Sequence, residues 1–185
     1  EGINAEPEAL NVIAQKADGG MRDALSIFDQ VVSFTAGNVQ YQSVIENLNV
    51  LDYEYYFKLT DKFIENNVSD SLLIFNDILN KGFEGSHFIT GLASHFRDLL
   101  VSRDESTLQL LEVGASIRSR YKEQAAKCKP QFLYKAMKLA NDCDLNYRVS
   151  KNKRFLVELT IIQIAQLTAE PDDVSHGRSP KQAIK

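Results

Sequence analysis

Apolar residues recur along this chain at intervals of three and four, the spacing of amphipathic helices. Leu10, Ile13, Ala14 and Ala17 fall on one such face, and Asn4 is placed to cap that helix at a start near Ala5. Pro7 is tolerated in its first turn. Gly19 and Gly20 end this helix and open the next. There Leu25, Phe28, Val32 and Thr35 form a stripe, widened by Ala24, Ile27 and Val31. Gly37-Asn38 is a turn signal. A third short helix, near 41–48, buries Val44, Ile45 and Leu48. Together these predict a compact three-helix bundle over residues 1–50.

Asn49-Val50-Leu51 reads as a junction, with Asp52 as the N-cap of a helix carrying Tyr56, Leu59, Phe63 and Ile64. A helix over 70–80 carries Leu72, Leu73, Phe75, Ile78 and Leu79, and Gly82 stops it. Ser86 starts another, through Phe88, Ile89, Leu92, Phe96, Leu99 and Leu100. A short element is expected at 108–111 and a basic helix with a thin apolar face at 116–127. Pro130 suits a helix start, and Leu133, Ala136, Met137 and Ala140 line that helix. The last helix, about 152–167, carries Phe155, Leu156, Leu159, Ile162 and Ile164. Its β-branched run exceeds ordinary strand length. No strand-like alternation bounded by hairpin turns occurs, so the expected class is all-α. The architecture is the small bundle followed by a bundle of five or six helices over 51–170. The polar stretch 171–185 reads as a disordered linker tail.

The 185 residues are 44% hydrophobic and 25% charged, a balance that fits a globular protein rather than a disordered one. The net charge of −4 gives no overall pull toward nucleic acid, but it is unevenly spread. Residues 1–100 carry a net of −9 and residues 101–185 a net of +5. Such a split can orient a subunit against neighbours or DNA, although a solvated surface also accounts for it. No apolar run is long enough to span a bilayer, and there is no signal-peptide pattern. Two cysteines are too few for a disulfide framework, so a cytoplasmic, reduced setting is expected. The chain starts at Glu1 without an initiator methionine and ends in a polar tail, which suggests a piece of a longer protein.

Nucleotide chemistry is the first to be weighed, because Gly19-Gly20-Met21-Arg22 places an arginine in the first turn of a helix. Unpaired N–H groups and a partial positive charge gather there. Arginine adds a planar fork suited to phosphate oxygens. The bland alternative is a surface pair with Asp18 or a carboxylate near Asp23. A phosphate cradle of the form G-x-x-x-x-G-K-[ST] is absent from the sequence. Gly82-Phe83-Glu84-Gly85-Ser86 is a loop with no Gly-Lys pair. This chain by itself is therefore not expected to hydrolyse ATP, and no catalytic residue is assigned.

Metal binding is not expected either. Cys128 and Cys143 stand 15 positions apart, and His87 and His95 eight apart, both wider than zinc spacings. Two basic groups offer phosphate or acidic-partner contacts, or simply solubility. They are Arg118, Arg120, Lys122, Lys127 and Lys129, then Arg148, Lys151, Lys153 and Arg154. The run Tyr53, Tyr55, Tyr56, Phe57 reads mainly as core, with one or two tyrosines free for an interface.

The string Gly20-Met21-Arg22-Asp23-Ala24-Leu25-Ser26, continuing through Phe28-Asp29-Gln30, resembles the sensor-2 motif of AAA+ ATPases. The pattern is most similar to that of gamma/tau subunits of bacterial DNA polymerase III clamp loaders. Glu8-Ala9-Leu10, Ile13-Ala14 and Gly37-Asn38-Val39 fit the same lid pattern. The stretch Ser150–Leu159 looks like the closing helix of the family's collar. The resemblance implies an AAA+ lid at 1–50 and a collar or oligomerisation domain at 51–170, without the P-loop domain. It implies that Arg22, with Met21 beside it, contacts ATP held by that other domain, and that ATP and magnesium are cofactors of the parent protein only. It further implies gamma/tau, delta and delta prime subunits as partners through the collar. The parent assembly would place a sliding clamp on primed DNA in replication. A lid from another AAA+ machine and a stand-alone helical adaptor remain as alternatives. A P-loop upstream of Glu1 would separate the adaptor from the first reading.

Overall fold

A computed structural model of the chain describes residues 2–169. The linker expected at 171–185 lies outside the described residues. The helices follow the periodic pattern closely. They are α1 (Pro7–Lys16), α2 (Met21–Thr35), α3 (Tyr41–Asn47), α4 (Tyr53–Ile64), α5 (Val68–Asn80), α6 (Gly85–Val101), α7 (Ala115–Lys127), α8 (Pro130–Tyr147) and α9 (Lys153–Gln166). A single 3-10 turn at Leu108–Leu110 stands where the short element was expected. The class is all-α.

The boundaries have local causes. The Asp52 carboxylate accepts from the Glu54 amide at 3.0 Å, capping α4. Asn152 does the same for α9 through the Phe155 amide. Asn67, which was not expected as a cap, accepts from the Asp70 amide and starts α5 two residues earlier than the pattern suggested. Pro130 occupies the first turn of α8, where a missing N–H costs nothing. The Arg103 guanidinium donates to the carbonyls of Ala125 and Cys128, closing the end of α7.

The start of the chain departs from expectation. Asn4 does not cap α1. It lies in a two-residue strand, β1 (Asn4–Ala5), paired in parallel with β2 (Asn38–Val39). Proline disfavours helical geometry in the residue before it, so Glu6 stays extended and α1 begins at Pro7. The freed amides go to the other segment, Asn4 N–H to Gly37 and Glu6 N–H to Val39. A pairing this short leaves no alternation in the sequence.

Two separate apolar cores result. The first holds Ala9, Val12, Ile13, Val31, Val39, Val44 and Ile45. The second is larger and gathers around Phe63, Phe75, Phe88, Phe96 and Leu133. Val50 packs against the first core and Leu51 against the second. Among the described residues, extended helix-on-helix packing occurs within α1–α3 and within α4–α9, not between the two sets. The α6–α8 pair dominates the second set, where the fully buried Ala136 and Ala140 let the helices approach.

Several residues assigned to apolar faces are not covered. Leu10, Leu25, Leu73, Phe155 and Leu159 are exposed, Leu25 at 57% and Leu73 at 66%. In α2, only Val31 is fully buried. Three short helices do not enclose enough volume to bury the whole stripe of a 15-residue helix.

Candidate functional site

Arg22 occupies the first turn of α2, directly after the N-cap Gly20 and Met21. No side chain caps this helix start. The turn leading into it is tight. Asp18 and Gly19 both have positive φ, 48° and 81°, a conformation glycine adopts without strain. Asp23 folds back so closely on Gly20 that a Cβ at that position would stand 2.7 Å from its carboxylate. Arg22 is exposed, and no ion pair among the described residues includes it, so neither Asp18 nor Asp23 holds it. Met21 is 75% exposed beside it. With Leu25 one turn on, these side chains make an uncovered apolar shoulder next to a free guanidinium.

That geometry suits an anion approaching along the helix axis. It provides unpaired amides, the helix dipole and an exposed guanidinium fork. The residues fit the tail of a nucleotide but provide nothing to hold a metal. Among the described residues no group of three His, Cys, Asp or Glu side chains is placed to bind an ion.

The basic groups are largely engaged elsewhere. Arg120 pairs with Glu54 and lies over the Phe57 ring at 4.3 Å. The Arg120 guanidinium, through its hydrogen bond, lowers the Glu54 carboxyl below its usual range. Lys122 meets Glu105, and Arg154 meets Glu158 and Asn76. Lys153 stands over Tyr147. Cys128 and Cys143 are free and buried. Burial pushes the Cys128 thiol up to about 11 and raises Cys143, so both stay protonated and poorly nucleophilic. In the aromatic run, Tyr56 and Phe57 are core residues, Tyr55 donates to Asp77, and Tyr53 reaches across to Gln15.

Two features had no signal in the linear pattern. One is a cleft of about 730 Å³ between the end of α1, residues 49–51, α4 and α6, lined by Lys16, Tyr53, Tyr56, His87, Arg97 and Asp98 among others. Burial raises the Asp98 carboxyl, and the Arg97 hydrogen bond opposes that. The other is a buried polar network. His95, on the apolar face of α6 beside Leu92, Phe96 and Leu99, meets Tyr121 at 3.0 Å and Gln124 at 3.1 Å. A histidine among three apolar neighbours at helical spacing was its only trace in the sequence.

Residues 1–37 match the family described as DNA polymerase III clamp loader subunit, ATPase lid domain. The chain is 27% identical over 166 residues to DNA polymerase III subunit tau of Bacillus subtilis, covering 90% of this chain and 30% of that protein. This chain is similar to clamp-loader gamma/tau subunits over most of its length. DNA polymerase III subunit tau of Escherichia coli is also 27% identical, over 88% of this chain and 25% of its own length. The chain thus spans less than a third of the length of either tau relative. In fold it is similar to a DNA clamp loader delta protein of Bacillus subtilis. The TM-score is 0.55 at 18% identity, over 89% of this chain and 52% of that one. Arg22 and Met21 fall inside the lid match. No helix among the described residues is long and apolar enough to cross a membrane.

Proposed function

We propose that residues 1–50 are the lid and residues 51–170 the collar of a clamp-loader gamma/tau subunit. In this reading the lid senses nucleotide and the collar assembles the loader. Arg22 contacts the terminal phosphate of an ATP whose cradle and magnesium belong to a P-loop domain outside these residues. Met21 and Leu25 form the apolar shoulder that meets that domain. Gain or loss of the Arg22 contact biases the angle of the lid, a ligand acting on two states through differential contacts. The chain as given performs no hydrolysis. Its collar gathers gamma/tau, delta and delta prime subunits, and the whole assembly loads a sliding clamp onto primed DNA in the cytoplasm.

The observation that carries this reading is an exposed arginine without an ion pair in the first turn of α2, within the lid match. The test is made in a chain that joins these residues to the P-loop domain. Arg22→Ala is expected to impair ATP-dependent clamp loading while leaving subunit assembly without nucleotide intact. Unchanged loading would remove Arg22 from the mechanism. Failure of residues beyond 50 to associate with other loader subunits would remove the collar.

A further inference from the structure

Glu8 stands in the first turn of α1 and points away from its own core. Its carboxylate reaches the start of α7, a helix of the second core more than 100 positions away. The Ser116 hydroxyl donates to Glu8 Oε1 at 2.6 Å. Ser116 is the second residue of α7, the place where a capping acceptor is normally supplied by the residue just before the helix. That residue is Gly114, which has no side chain to supply one. Glu8 stands beside that position instead, accepting from the Ser116 hydroxyl. The space is made for it, since a Cβ on Gly114 would stand 3.0 Å from Oε1 and 3.1 Å from Cγ of Glu8. One carboxylate therefore serves the positive ends of two helices, α1 and α7. The Ser116 hydroxyl, followed by the Glu8 amide, holds the Glu8 carboxyl below its ordinary value, as an occupied anion site should.

Further polar contacts cross the junction, the Tyr41 hydroxyl donating to Asp52 Oδ1 at 3.2 Å among them. Gln15 Nε2 donates to the Glu112 carbonyl at 2.8 Å, and the Tyr53 hydroxyl donates to Gln15 Oε1 at 3.1 Å. Gln15, Tyr53 and Glu112 line the open cleft, together with Val12, Lys16 and the 49–51 connection. Asn49 in that connection has a positive φ of 49°. The two helical sets are thus joined by a short connection and by these contacts, with the open cleft between them.

We infer that the Glu8 carboxylate is a clasp that sets the angle between α1–α3 and α4–α9 by holding the Ser116 hydroxyl at the start of α7 across the junction. With the clasp made, the two sets turn as one body. Without it, they pivot about 49–51 into the cleft. Because Arg22 lies on the clasped set, any ligand pulling on that arginine works against Glu8. The inference does not require that ligand to be a nucleotide.

The test uses the full 185-residue chain and amide relaxation by NMR. The unsubstituted chain is expected to give one rotational correlation time for residues in α1–α3 and α4–α9. Glu8→Ala and Gly114→Ala, the second by crowding the carboxylate out, are expected to give α1–α3 a shorter correlation time than α4–α9. Glu6→Ala serves as the control. Glu6 Oε2 accepts from the Tyr41 amide at 2.7 Å, a comparable cap made inside the first set. It should leave the common tumbling unchanged. The clasp is overturned if Glu8→Ala keeps a single correlation time. It is equally overturned if Glu6→Ala separates the two sets as Glu8→Ala does, since the effect would then be a general loosening around α1.

Discussion

The Tyr121 hydroxyl donates to His95 Nδ1 at 3.0 Å, and with that the tautomer of a fully buried imidazole is decided. Gln124 Nε2 donates to the Phe57 carbonyl and to Asp61, which leaves Gln124 Oε1 as an acceptor. His95 must then carry its proton on Nε2 and give it to Gln124. In this arrangement both nitrogens are satisfied with the ring neutral.

Burial lowers the His95 pKa to about 3 from an ordinary value of 6.5. The unfolded chain therefore binds the proton more readily than the folded one. The stability from this group is complete above the unfolded value and is lost as the pH falls from there toward 3. The slope is about 1.4 kcal/mol per pH unit at its steepest. Asp98, whose carboxyl is raised by burial, adds stability at low pH that is lost as the pH rises, so it acts in opposition. Urea unfolding of the unsubstituted chain and of His95→Gln between about pH 7 and pH 4 isolates the histidine. The difference between them should shrink as the pH falls.

Gly91→Ala should destabilise the second core. Gly91 lies inside α6, where alanine would ordinarily gain about 1 kcal/mol. Here the new Cβ would stand 2.0 Å from the Tyr56 hydroxyl oxygen and 2.6 Å from its ring carbon. Overpacking of this kind costs about 1–3 kcal/mol and outweighs the helix propensity. Adding Tyr56→Phe removes the hydroxyl and should recover part of the loss in denaturant titrations.

Arg22→Ala should leave the fold untouched. The side chain is exposed and makes no ion pair among the described residues. Removing a positive charge from the positive end of α2 is neutral or slightly favourable. The midpoint of thermal unfolding should move by no more than about 0.5 kcal/mol equivalent. A larger loss would mean that Arg22 packs structurally and would undercut its use as a free sensing arm.

Asp52→Ala should cost more than an ordinary cap. The same Oδ1 that accepts from the Glu54 amide also accepts from the Tyr41 hydroxyl at 3.2 Å. The carboxylate thus starts α4 and ties α3 to it. A loss of about 1–2 kcal/mol is expected in equilibrium unfolding, and Asp52→Asn should keep most of it.

The helices were legible because a period near 3.6 is a local property, as are glycine stops and the caps at Asp52 and Pro130. The covering of those faces was not legible. Leu25, Leu73 and Phe155 obey the same spacing as Leu92 and Phe96, yet the first three are exposed and the last two are buried. Spacing records which side of a helix is apolar, not whether another element lies against it. The site was readable only in part. Gly20-Met21-Arg22 marked a helix start, but the freedom of Arg22 from Asp18 and Asp23 is a matter of side-chain placement.

The sequence by itself determined an all-α chain, the order and approximate ends of its helices, and a lid-like motif around Arg22. These follow from propensity, period and capping, which act over a few residues. Only the tertiary structure decided that Asn4 pairs with Asn38, that His95 finds Tyr121 and Gln124, and that Glu8 meets Ser116 at the start of α7. Those contacts join residues 26 to 108 positions apart. They form when burial of two apolar cores has brought the helices together, and a linear pattern holds no record of which distant amide or carboxylate will arrive.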